Sequence, residues 1–133
     1  MRTAVDTSVL LDVLGADEEF GEPSREALRK AYRSGALLAC EVVWAEVRAH
    51  FTDDAQFGDA LGTLGIRFDP VGAESAALAG RLWRRSTSNR ARVVADFLIG
   101  AHALRQADAL LTRDRGFYRS CFAELRLTDP AGR

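Results

Sequence analysis

Two rhythms of apolar residues alternate along the chain. Short dense runs end in turn or capping residues: 2–6 closing on Asp6, "ALLAC" at 36–40, "IRFDPV" at 66–71, "ALLTRD" at 109–114 and "LRLTD" at 125–129. Such runs predict buried strands. Between them lie stretches in which apolar residues recur every three or four positions, the spacing of one helix face. "TSVLLDVLG" at 7–15 predicts a short helix capped by Thr7 or Ser8 and stopped by Gly15. "EPSREALRKAYRSG" at 22–35 predicts an amphipathic helix with Leu28, Ala31 and Tyr32 inward. Helices are also predicted over 41–51, 53–65 and 73–86, then a polar connection at 88–93. "VADFLIGAHALRQA" at 94–107 is apolar nearly all round, so it predicts a central buried helix, and 115–125 a last helical piece.

Strands alternating with helices imply an α/β fold with a central, mostly parallel sheet covered on both faces. No internal repeat, low-complexity tract or linker interrupts the pattern, so residues 1–133 read as one domain.

Composition removes several chemistries. Cys40 and Cys121 make no disulfide framework, and a zinc site is disfavoured, with no C-x-x-C and only His50 and His102 to help. Lys30 is the single lysine among 18 basic residues, which disfavours Schiff-base or P-loop chemistry. A net charge of −1 gives no global attraction to nucleic acid, so such binding needs a local patch. No apolar stretch spans a membrane and no signal peptide is recognised; the expected location is cytoplasmic.

The acids carry the chemistry. In an open parallel sheet, ligands bind beyond the carboxyl ends of the strands. Asp6 ends the first predicted strand and Asp114 follows the fourth. Glu46, with Val42, Val43 and Ala49 at helical spacing, is expected on an apolar helix face, as is Asp96 beside Ile99, Gly100 and Ala103. Gly100 would admit a close approach of backbone or ligand. Each acid also has a plain reading: Asp6 as a cap, Asp114 as a turn residue, Glu46 as an arginine partner, Asp96 as a helix-start acid favoured by the macrodipole. Asp12 reads as a solvent-facing helix residue.

Four clustered carboxylates would repel one another unless a cation neutralised them. Oxygen-only ligation suits Mg²⁺ or Mn²⁺ and fits metal-assisted phosphodiester hydrolysis. Asp6, Asp96 and Asp114 are the expected metal ligands, with Glu46 as a fourth catalytic acid. Ser8 and Thr112 could hold a metal-bound water or orient a carboxylate.

"VDTSVLLD", "EVVWAEV", "ADFLIGAHAL" and "LLTRDRGF", in that order over about residues 3–130, resemble the PIN-domain family and within it the VapC-type toxins of toxin–antitoxin pairs. The resemblance implies a three-layer α/β/α fold and a Mg²⁺- or Mn²⁺-dependent endoribonuclease, a homodimer held inactive by a small cognate antitoxin. The family's four acids fall on Asp6, Glu46, Asp96 and Asp114, and its hydroxyl positions on Ser8 and Thr112. It gives His102 no role, and His102 is expected to be structural. The antitoxin groove is expected between "EEFGEPSREAL" and "EVVWAEV".

Two alternatives compete. A phosphatase-like hydrolase with an acidic pocket would want an Asp where Ser8 stands, and a lysine. A non-enzymatic interaction protein would use its acids for a partner's arginines, and would lack metal-dependent cleavage. For RNA, Arg81, Arg84 and Arg85 fit a solvated helix face. Arg90, Arg92, Arg113 and Arg115 are the better candidates for gripping phosphates. Trp44 and Trp83 are expected in core or interface.

Overall fold

The structure is a computed structural model that describes residues 1–86 and 93–130. Its centre is a five-stranded sheet of β1 (Arg2–Val5), β2 (Ala36–Ala39), β3 (Ile66–Phe68), β4 (Ala109–Leu111) and β5 (Leu127–Thr128). The order is β3-β2-β1-β4-β5, and every pairing is parallel. The sheet is therefore wholly rather than mostly parallel. Strands buried on both faces read as continuous apolar runs, and Ala4, Val5, Leu37, Leu38, Ala39 and all of β4 are buried.

Between the strands run α1 (Thr7–Leu14), α2 (Gly21–Ser34), α3 (Glu41–Arg48), α4 (Asp54–Leu64), α5 (Ala73–Arg85), α6 (Val94–Gln106) and, before β5, α7 (Arg115–Cys121). The chain moves outward from β1 through β2 to β3, then returns across β1 to β4 and on to β5. The crossovers from β1 to β3 run through α1–α4, and the return to β4 and on to β5 runs through α5–α7. The direction of winding reverses between β1 and β4. That switch point leaves a crevice at the carboxyl ends of these two strands.

Several local expectations change in three dimensions. The helix expected over 41–51 stops at Arg48. Tyr32 faces outward, 59% exposed. Gly35 has φ +152°, and a Cβ there would run into the Met1 carbonyl, which accepts the Ala36 N–H. Only glycine allows α2 to turn into β2 so close to the N-terminus. Gly100 does permit a close approach, but of the Phe122 ring rather than a ligand. Phe97, Phe117, Tyr118 and Phe122 interlock there, with Phe97 and Phe117 edge to face. Burying Phe97 completely is worth about 1.5–3 kcal/mol. This aromatic knot ties α6 to α7 behind the crevice.

Candidate active site

β1 ends at Asp6, whose N–H donates to Leu111 O and carries the β1–β4 pairing one residue further. Asp6 then leaves the strand in an extended conformation as the N-cap of α1; neither Thr7 nor Ser8 takes that position. Its side chain is 7% exposed. Oδ1 accepts the Thr7 N–H at 2.8 Å, and Oδ2 accepts the Thr112 hydroxyl at 2.7 Å.

Two arms reach from Asp6 to other acids. On one side the fully buried Thr112 donates to Asp6 while its Oγ1 accepts the Asp114 N–H at 2.9 Å. On the other, the Thr7 hydroxyl donates to Glu46 Oε1 at 2.7 Å. Burial pushes the Asp6 carboxyl above its ordinary value, and the Asp114 and Glu46 charges push it further the same way. The Thr112 and Thr7 hydrogen bonds pull against this rise without cancelling it. The charges of Glu46 and Asp114 are thus both felt at Asp6, though less than its burial. Glu46 is not on the apolar face of α3: it is exposed, standing beside buried Val43 and Val47. Asp96 is half-buried in the first turn of α6.

Ser8 Oγ is buried and has no hydrogen-bond partner among the described residues. A buried hydroxyl left so, two residues along the chain from Asp6, is costly unless something else meets it. Among the described residues no three His, Cys, Asp or Glu side chains already stand close enough to hold a metal ion. The donors are nevertheless oxygens throughout, the chemistry of a hard cation. Mg²⁺ commonly takes one or two carboxylates and keeps its waters, so it does not require three acids already gathered.

Asp12 reverses its expectation. It is 5% exposed and fully engaged: Ser24 Oγ donates at 3.0 Å, and Arg113 donates from Nε at 2.6 Å and from a terminal nitrogen at 3.0 Å. Arg113, expected to grip phosphate, is therefore turned inward. Arg115 lies 3.4 Å from the Asp129 carboxylate, and its Nε is buried without a partner among the described residues. Arg90 and Arg92, with most of the polar connection, lie outside the described residues. Arg81, Arg84 and Arg85 are exposed on α5, as is Trp83, while Trp44 packs edge-on to Phe57 and Phe68.

His102 is structural. It is 1% exposed, and its Nε2 sits 2.8 Å from Asp69 Oδ2, which also accepts from Gln106 Nε2 at 3.1 Å. Thr7 and Asp69 are the polar residues that sequence reasoning passed over. In the sequence Thr7 reads only as a candidate cap, and nothing in the spacing of Asp69 links it to His102.

The family model for the PIN domain matches residues 3–123. No curated protein sequence matches the chain at a significant level. Solved structures with the same fold include FitAcB from Neisseria gonorrhoeae, at 20% identity and a TM-score of 0.70 over 97% of this chain and 98% of that one. A VapBC complex from Rickettsia felis, bound to a DNA fragment from its promoter, gives 16% and 0.71 over 97% and 98%. A sarcin–ricin-loop-cleaving VapC toxin from Mycobacterium tuberculosis gives 16% and 0.61 over 93% and 98%. At these identities the likeness is one of fold.

Proposed function

The chain belongs to the PIN-domain family, and we propose that it is a metal-dependent endoribonuclease, the toxin of a toxin–antitoxin pair. One observation carries this reading. Hydrogen bonds through Thr112 and Thr7 tie the buried Asp6, at the sheet's switch point, to Asp114 on one side and Glu46 on the other.

A divalent ion, Mg²⁺ or Mn²⁺, would be held by Asp6 and Asp114 with Asp96, and when bound it supplies an activated water and positive charge for the phosphate. The protein's own part is positional. The Thr7 N–H and the Thr112 hydroxyl each occupy one lone pair of Asp6 and fix the plane of its carboxylate. Glu46 spends Oε1 on Thr7 and keeps Oε2 for a water or its proton. Ser8 offers a hydroxyl at the same edge. Arg113 is bonded to Asp12 and Arg115 lies against Asp129, so of the four arginines Arg90 and Arg92 are the proposed phosphate grips.

The related structures from Rickettsia felis and Neisseria gonorrhoeae are VapBC and FitAcB assemblies. By that likeness the proposed partner is a small antitoxin; RNA as substrate follows the likeness to the sarcin–ricin-loop-cleaving toxin, and a second copy of this chain is proposed from the family resemblance alone. The test is cleavage of RNA by the purified protein. Activity should vanish with a chelator, return with Mg²⁺ or Mn²⁺, and be absent in Asp6→Asn under every condition. Cleavage that survives both chelation and Asp6→Asn would refute the reading.

A further inference from the structure

The pair formed by Asp12 and Arg113 lies outside the carboxylate group yet is covalently next to it. Arg113 stands between Thr112, whose hydroxyl holds Asp6, and Asp114, one of the acids themselves. Its guanidinium leaves the crevice, lies over the Phe20 ring at 4.1 Å and meets Asp12 on α1 through two N–H donors. Ser24 on α2 closes the same carboxylate. Both oxygens of Asp12 are used, and the contact joins chain positions about a hundred residues apart.

We infer that the Asp12–Arg113 pair is a positioning latch: it clamps the 112–114 turn to α1 so that Thr112 reaches Asp6 and Asp114 faces the crevice. Three features argue for this over simple stabilisation. The Arg113 side chain is 32% exposed, and an ion pair open to solvent on one side commonly adds little stability. The fork geometry, by contrast, fixes direction: two parallel N–H···O bonds and a stacked face leave the guanidinium plane no free rotation. Thr112 Oγ1 accepts the Asp114 N–H while its hydroxyl donates to Asp6, so a shift of the turn at Arg113 displaces both contacts together. Arg113 touches no reacting atom; it acts through its neighbours.

The inference rests on the nuclease reading for its kinetic arm, while its structural arm stands without it. The test compares wild type, Arg113→Lys, Asp12→Asn and the double variant. Arg113→Lys keeps the charge and loses the fork. Amide exchange at Asp114 should quicken at least tenfold in that variant, while the β2 amides keep their protection. With RNA and Mn²⁺, kcat should fall about 10–100-fold, the usual loss when a group that orients a ligand is removed. KM and the salt dependence of binding should stay unchanged. The double variant should be no worse than the poorer single one, since both break one contact. An unchanged kcat with raised KM and a shallower salt slope would make Arg113 a phosphate grip and overturn the latch. So would unchanged exchange at Asp114, or a fall in melting temperature with kcat intact. If Asp12→Asn does not fold, Arg113→Lys alone decides. A wild type that cuts no RNA refutes the nuclease reading, and the exchange arm still tests the latch.

Discussion

The Thr112 hydroxyl donates to Asp6 at 2.7 Å while accepting the Asp114 N–H at 2.9 Å, so one buried side chain links the ends of β1 and β4. Both capacities of the hydroxyl are used, which fixes its hydrogen on Asp6. The positions of two acids are thereby made mutually dependent.

Replacing Thr112 by Val keeps the volume and removes both bonds. The Asp114 N–H and the Asp6 carboxylate each lose a partner in a buried setting. Stability should fall by about 1–3 kcal/mol, and Thr112→Ser should restore most of it. Urea unfolding of the three proteins measures this, and cleavage should follow the same ranking.

The Asp6 carboxyl gives a pH dependence with a definite sign. Its folded pKa lies above the ordinary 3.8, so the folded state binds the proton more tightly than the unfolded one. Its contribution to metal-free stability is greatest below 3.8 and is lost as pH rises through the folded value. Relative to Asp6→Asn, the melting temperature of metal-free wild type should therefore drop as pH is raised from 4 towards neutrality. A difference that stays flat or grows with pH would show that burial and the neighbouring charges do not hold the proton.

Metal should reverse that penalty. If Asp6 and Asp114 bind Mg²⁺ or Mn²⁺ only when folded, millimolar metal raises the wild-type melting temperature, by about 2.7 kcal/mol of added stability at a hundredfold excess over Kd. Thermal scans should find little or no metal effect in Asp6→Asn.

Gly100→Ala tests the aromatic knot. The added Cβ would come 2.4 Å from the Phe122 ring, itself buried against Phe97 and Phe117. The ring has no free space to enter, so the substitution should cost about 1–3 kcal/mol, in spite of alanine's better helix propensity. Denaturant midpoints would register it directly.

Much of this protein was written in local order along the chain. The alternation of apolar runs with helical periodicity determined the strands, most helices and the parallel sheet, because continuous apolar strands need cover on both faces. The position of Asp6 and Asp114 just after two such runs determined that they share the sheet's carboxyl edge, since parallel strands all end on one side. Pairings between distant residues were decided only in three dimensions. Asp12 has the local spacing of an exposed helix residue and is buried because Arg113, near the other end of the chain, arrives to neutralise it. Glu46 has apolar neighbours and is exposed because α3 turns its Val43–Val47 stripe inward and leaves this acid at the rim, beside Thr7. His102 and Asp69 meet because α6 passes the end of β3. Periodicity records how each segment faces the core, but which side chain waits on the other side is set by topology.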